Sequence, residues 1–335
     1  MGYRAPAVTA LVLSVLVMAA GTPIAGRSGI TPEVVATGVS RPLQLATAGR
    51  SLVVLSPGQD GDTAGEIHRL PLDVDLVLPV DLARQPSIRI PFSDARGASL
   101  GSLAIEPRSG ILYLGEENGA RVWRLSTDER LTLYATGLHR LPGGTSLVID
   151  GRGRLALVDN VDPLISSSED RPPPGLEQFR DEDYRGPLVF RLELDPGIPL
   201  PRRLGRLAPF FPRGWSGGGA MLPRFISIAA PESGDLVLLS TSGELLRLGP
   251  DGTPRPFARL PRGQYNRISM VAGADGSILV SGGFHIGSIF RVTPDGAVTV
   301  LTSGLADPEG IATDADGVVY VAESALHRIV RLRPS

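Results

Sequence analysis

Six stretches of the chain spell nearly the same five-residue strand: "EIHRL" (66–70), "RVWRL" (121–125), "LVFRL" (188–192), "ELLRL" (244–248), "SIFRV" (288–292) and "RIVRL" (328–332). Arg69, Arg124, Arg191, Arg247, Arg291 and Arg331 stand in register, at spacings of 55, 67, 56, 44 and 40 residues. Strand-built units repeating every 40 to 50 residues or so are what propeller blades produce. Each copy sits in a larger frame of a short first strand, a Gly-rich turn, a second strand, a loop and the repeated third strand. "EGIATDADGVVYVAESALHRIVRLRP", "SMVAGADGSILVSGGFHIGSIFRVTP" and "SLVIDGRGRLALVDN…LVFRLELDP" show it most fully. Six frames predict six blades.

Fourth strands follow at "LTLYATGL" (131–138), "RPFARLP" (255–261) and "VTVLTSGL" (298–305). The sixth frame has none after it, but "EVVATGV" (33–39) has the same shape and leads into the first frame. Pairing it into the last blade closes the ring and removes two open sheet edges. The expectation is an all-β, six-bladed β-propeller of four-stranded antiparallel blades, one domain over 26–335, with lid-like insertions at 160–187 and 210–222. The 41 Gly and 30 Pro suit many short strands better than a few long helices.

Arg4 and the apolar run 7–20, followed by small residues and Pro through "GTPIAG", read as a signal peptide over 1–25. That predicts an exported, periplasmic or extracellular protein, monomeric and without stable membrane insertion after cleavage. A net charge of −2 with both signs interspersed gives no basic footprint for nucleic acid. Cysteine is absent, which excludes disulfides and a thiol nucleophile; lysine is absent, which excludes a lysine Schiff base.

Aligned first strands carry Gln44, Ser102, Ser146, Ser227, Ser269 and Gly310 at one position. Two residues on they carry Ala46, Ala104, Val148, Ala229, Val271 and Ala312. Small residues there suit close packing near an axis. The one Gly-x-Ser-x-Gly match, "GWSGG" (214–218), sits in a glycine-rich connection with no strand-to-helix pattern around it, so a serine hydrolase is not expected.

In such a blade, first-strand starts and second-strand ends share one rim. The starts offer Thr145, Arg224, Asn266, Arg267, Asp307 and Glu309; the ends offer Glu116, Glu117, Asn118, Asp159, Asn160 and Glu323. Oxygen ligands of this kind suit a hard, Ca²⁺-like cation. They equally suit a polar ligand, acid–base work or a solvated rim. Phe210, Phe211 and Trp215 beside a triple glycine offer either an apolar wall on a hinge or a plug. Of four histidines, His68 and His327 belong to the repeated third strand; His139 and His285 lie in rim connections and are the imidazole candidates.

The stretch "GLADPEGIATDADGVVYVAESALHRIVRL" resembles an NHL repeat, and with the weaker blades the chain over 33–335 resembles the NHL and SMP-30/gluconolactonase group of propellers. That resemblance implies one divalent cation at the axis and metal-activated water that opens lactones. The group's inner-strand Pro-Asp-Gly is "PEG" here, which puts Glu309 in the ligand's place; its Pro-Asn-Gly is absent, with Ile268 at the aligned position and Asn266 two residues earlier. "RPLQLA" replaces its early Glu-Gly-Pro. The chain also resembles streptogramin lyase-like propellers, which carry His where Glu309 stands and Glu where Glu323 stands.

Three readings follow. The first is a propeller that binds a small polar molecule, glycan or peptide at the axial mouth through Asn118, Thr145, Arg224, Trp215, Asn266 and Arg267. The second is a metal-dependent lactone or ester hydrolase, with Glu116, Asp159, Asn160, Glu309 and Glu323 around a Ca²⁺-like ion. The third is a lyase of the streptogramin type, using His139 or His285 with Glu309 and Glu323.

Overall fold

A computed structural model describes residues 30–58, 64–72, 77–91, 99–117, 121–139, 145–161, 186–212 and 223–334. The expected signal peptide, most of the 160–187 insertion, Asn118 and Trp215 lie outside them. The described chain folds as six antiparallel sheets arranged as a propeller. Each sheet begins on a short inner strand: Gln44–Ala48, Ser99–Ile105, Thr145–Ile149, Phe225–Ala229, Met270–Ala272 and Pro308–Thr313. All six copies of the repeat form the third strands of their blades, in Ala64–Pro71, Arg121–Leu125, Gly186–Leu192, Glu244–Leu248, Ser288–Val292 and Arg328–Pro334.

Six apolar clusters hold the ring, one at each junction between adjacent blades. Both faces of every sheet are thereby covered, which is why second strands such as Leu155–Val161 and Leu236–Ser240 are buried along their whole length. The fill is largely Leu, Val and Ile, consistent with an aromatic content of only 5%.

The sixth blade closes with Ile30–Thr37, antiparallel to Arg328–Pro334 from Ile30↔Pro334 to Thr37↔Arg328. Arg331 grips Glu33 with two hydrogen bonds, Nε to Oε2 at 2.7 Å and Nη2 to Oε1 at 2.9 Å. Within the same blade junction, Gly310 lets two inner strands approach: a Cβ there would lie 2.9 Å from the Leu43 carbonyl oxygen. Two other repeated arginines also serve the scaffold. Arg191 donates to the Gly234 carbonyl and lies over the Phe210 ring, while Arg247 donates to the Pro294 carbonyl and lies over Phe257.

Two features differ from expectation. Blade three has three strands among the described residues, and Phe211 takes part of the fourth position through an isolated bridge to Val189. Phe211 is buried in the junction with blade four and Phe210 packs beside it, so these two aromatics plug rather than form a lid wall. In addition, "LPVDLAR" (78–84) and "LPRRLGR" (200–206) form the same embellishment, a two-residue strand and a 3-10 turn. Val80–Asp81 pairs parallel to the closing strand, and Arg202–Arg203 pairs parallel to Leu131–Thr136 of blade two. These inserts lengthen the repeat spacing to 55 and 56 where the last two blades need only 44 and 40.

Candidate functional site

Inner-strand starts and second-strand ends do meet on one rim, as the pairs Ser99↔Glu117, Thr145↔Asp159 and Pro308↔Glu323 show. Three blades are entered through the same short turn: Gly38-Val39-Ser40, Gly137-Leu138-His139 and Gly304-Leu305-Ala306, each glycine near φ +80°. A left-handed residue is needed there, and glycine adopts it without a Cβ penalty. The residue closing the second strand then ties the turn down. Ser56 Oγ donates to the Ser40 carbonyl, the His139 backbone N–H donates to Asp159 Oδ1 at 2.8 Å, and the Ala306 N–H donates to Glu323 Oε1 at 2.9 Å.

Four of the five predicted cation ligands, Glu116, Asp159, Asn160 and Glu323, are consequently engaged with local partners, and the five are not gathered. Glu116 Oε1 accepts from Trp123 Nε1 at 2.6 Å. Asn160 pins blade three to blade four, its Nδ2 donating to the Phe225 carbonyl at 2.7 Å and its Oδ1 accepting from the Phe225 N–H at 3.2 Å. Glu323 Oε2 accepts from Arg328 Nε at 2.6 Å, besides the Ala306 bond on its other oxygen. Among the described residues, no three His, Asp or Glu side chains stand where they could share a metal ion. Both the occupied oxygens and this dispersal argue that the set does not fit a resident cation. Accordingly Ca²⁺ or EDTA is expected to move Tm by less than about 1 °C; a cation at a hundred times its Kd would add about 2.7 kcal/mol and shift Tm by several degrees.

His139 departs from the pattern of its turn. Its ring Nδ1 also meets Asp159 Oδ2 at 2.8 Å, with both side chains buried. The equivalent Ser40 and Ala306 have no ring to offer. A carboxylate on Nδ1 orients the imidazole and fixes its proton on that nitrogen. The other histidine candidate, His285, is exposed in the 3-10 turn Gly283–His285, its ring edge-on to Phe284 with centroids 4.6 Å apart.

Glu309 is 1% exposed, and its Oε2 has no hydrogen-bond partner among the described residues. Burial pushes its carboxyl up to about 7; the Ser324 hydroxyl and the Arg267 and Arg41 charges pull the other way, and Asp307 adds to the rise. Around it the backbone is held in the left-handed region at three non-glycine residues, Arg41, Arg267 and Asp307, with φ of 48°, 51° and 47°. Such conformations are costly for long side chains and concentrate at clamps and switches. Arg41 was not singled out from the sequence. The available signal was the alignment of "RPLQ" with "DPEG", which puts Arg41 opposite Asp307.

The remaining predicted residues stand at the inner-strand starts of other blades. Arg224 is half-buried just before the inner strand of blade four, Arg267 is exposed, and half-buried Asn266 accepts through its carbonyl from the Phe284 N–H at 3.2 Å. The Thr145 backbone pairs with Asp159.

A six-bladed β-propeller with a polar axial rim is thus the class that the fold and site define. Solved structures of similar shape include a calcium structure of a Trichoderma reesei carbohydrate-active enzyme of family AA12 (TM-score 0.58, 12% identity, covering 92% of this chain and 96% of that one). A gluconolactonase from Xanthomonas campestris is also similar (TM-score 0.54, 16% identity, 89% of each chain), as is virginiamycin B lyase from Staphylococcus aureus (TM-score 0.52, 12% identity, 90% and 98%). At these identities the likeness establishes the propeller fold. No family model and no curated protein sequence matches the chain.

Proposed function

We propose that this is an exported propeller that captures a small polar molecule, or the end of a glycan or peptide, at the axial rim around Glu309. The observation that carries the reading is the buried Glu309 Oε2 without a partner. A buried polar atom left unpaired costs about 1 to 3 kcal/mol, and a ligand donor would remove that cost. Arg41 and Arg267 supply positive charge beside it, so the site accepts hydroxyl, carbonyl or carboxylate groups. Asn266 and Arg224 extend the polar surface.

Acid–base turnover is a second reading, favoured by the His139–Asp159 pair. In lactone or ester opening, or in elimination, His139 would move the proton while Asp159 holds the ring and balances the imidazolium. Glu309, with its carboxyl near 7, has both protonation states populated at neutral pH.

One experiment separates these readings. Sugar lactones, sugar acids and short peptides are screened for a Tm increase and, by NMR, for turnover. Binding alone, lost in Glu309→Gln, supports capture. Turnover that falls at least a hundredfold in His139→Gln, with folding retained, supports catalysis. Ligand binding undiminished in Glu309→Gln overturns the Glu309 site.

A further inference from the structure

The axis holds a cavity of about 320 Å³ whose walls come from the inner strands of all six blades. It does not belong to the Glu309 rim. The inner strands start at that rim, and the cavity walls begin just inside it, at Gln44, Ser102, Ser146, Ser227 and Ser269. From there they run to Thr47, Pro107 and Thr313 at the opposite end. Neither Glu309 nor any other candidate site residue whose side chain is described is among the walls.

Three properties define what this space accepts. First, no ionisable side chain lines it among the described residues. A charged ligand would lose its hydration without a counter-charge, so the cavity discriminates against ions. Second, the walls alternate polar and apolar groups. The ring of four serine hydroxyls and the Gln44 amide is followed by the methyl groups of Ala46, Ala104, Ala229 and Ala312. Every inner strand is also the edge of its sheet, so its outer row of N–H and C=O groups has no strand partner. Some of these groups are met by neighbouring blades: Ser146 Oγ accepts from the Ile228 N–H at 3.2 Å, and Thr47 Oγ1 donates to the Thr313 carbonyl at 2.7 Å. Ser102 is not served in this way. It is 3% exposed, and its Oγ has no partner among the described residues. Third, the volume equals about ten waters at ~30 Å³ each, far more than one stranded hydroxyl requires.

We propose that this cavity is a second binding site, separate from the Glu309 rim, for a neutral polyhydroxylated molecule of five or six carbons. The juxtaposition that carries the proposal is the uncharged ring of serine hydroxyls, including unpartnered Ser102, above a belt of alanine methyls. A free sugar or polyol presents a donor and an acceptor at each carbon and apolar C–H faces between them, which matches those walls.

The test is calorimetric titration at pH 7 with D-glucose, myo-inositol and sorbitol, alongside gluconate and glucosamine as charged analogues. A neutral compound is expected to bind with a Kd of about 1 mM or tighter, and its charged analogue at least tenfold more weakly. Ala272→Leu, at a half-buried wall position near the far end, is expected to weaken binding at least tenfold by filling the space. Ser102→Ala, which removes one hydroxyl without adding volume, is expected to weaken it about threefold to tenfold. Melting curves confirm that each variant is folded. If no neutral compound binds below about 10 mM, the cavity holds water only and the proposal falls. It falls equally if charged analogues bind as well as neutral ones, or if binding is lost in Glu309→Gln but unchanged in Ala272→Leu, since the rim would then be the sugar site. Failure here leaves the Glu309 reading standing, because that reading is tested by different residues.

Discussion

A chain lacking residues 30 to 37 is expected to lose its single cooperative thermal transition, or to melt at least 15 °C or so below the intact protein. The strand supplies Val35 and Ala36, both essentially inaccessible, to the cluster between blades six and one. It also carries Val80–Asp81 on its outer side, and Leu82, which follows directly, is fully buried in the same cluster. Removing it exposes Arg328–Pro334 as a bare edge and opens one face of two blades at once. Loss of a buried valine alone costs about 1.5 to 3 kcal/mol, and the lost ladder and the uncovered neighbours add to that. Against a total stability of about 5 to 15 kcal/mol, the sum is large. Circular dichroism melts of the two chains decide the matter, and an unchanged transition would refute the closure argument.

Glu309→Gln is expected to stabilise the protein at pH 8 by up to about 3 kcal/mol and to do almost nothing at pH 4. The carboxyl is raised in the folded state, to about 7 from an ordinary 4.5. Between those values the folded chain holds a proton that the unfolded chain has released, so native stability falls as pH rises through the interval. Above about 7 the full penalty of the buried carboxylate is present. Glutamine removes the titration, and the variant's stability should be flatter with pH. Urea unfolding at pH 5 and pH 8 measures this. Parallel slopes for the two proteins would show that Glu309 ionises without penalty, through a solvent path or an ion pair stronger than Arg41 and Arg267 provide.

The blade count was legible because the repeated strand carries its own marker: an arginine flanked by buried apolar residues, six times in register. The closing strand was legible too, since "EVVATGV" copies the outer strands that end in Thr-Gly-Leu or Ser-Gly-Leu. What those glycine turns did not reveal was their hold on the carboxylates. Asp159 and Glu323 look like free ligands in one dimension, but their hydrogen-bond donors are backbone N–H groups at His139 and Ala306, and a backbone group has no letter. The Leu-Pro embellishments escaped notice for a different reason. Among the described residues they follow only the third strands of blades one and three, so they register as irregular spacing rather than as a period. Glu309 was identified as a rim residue, whereas its neighbour Arg41 enters from the opposite end of the sequence through ring closure.

That closure also dictates an order of events during synthesis. Ile30–Thr37 leaves the ribosome first among the described strands, and its partner Arg328–Pro334 leaves last. While the strands between them are made, the first strand must stay unpaired, or pair wrongly, as five blades form beside it. Such long-range pairing is slow and leaves an aggregation-prone edge in the nascent chain. Val34, Val35 and Ala36 are the residues that a holding chaperone would have to cover until the last blade arrives.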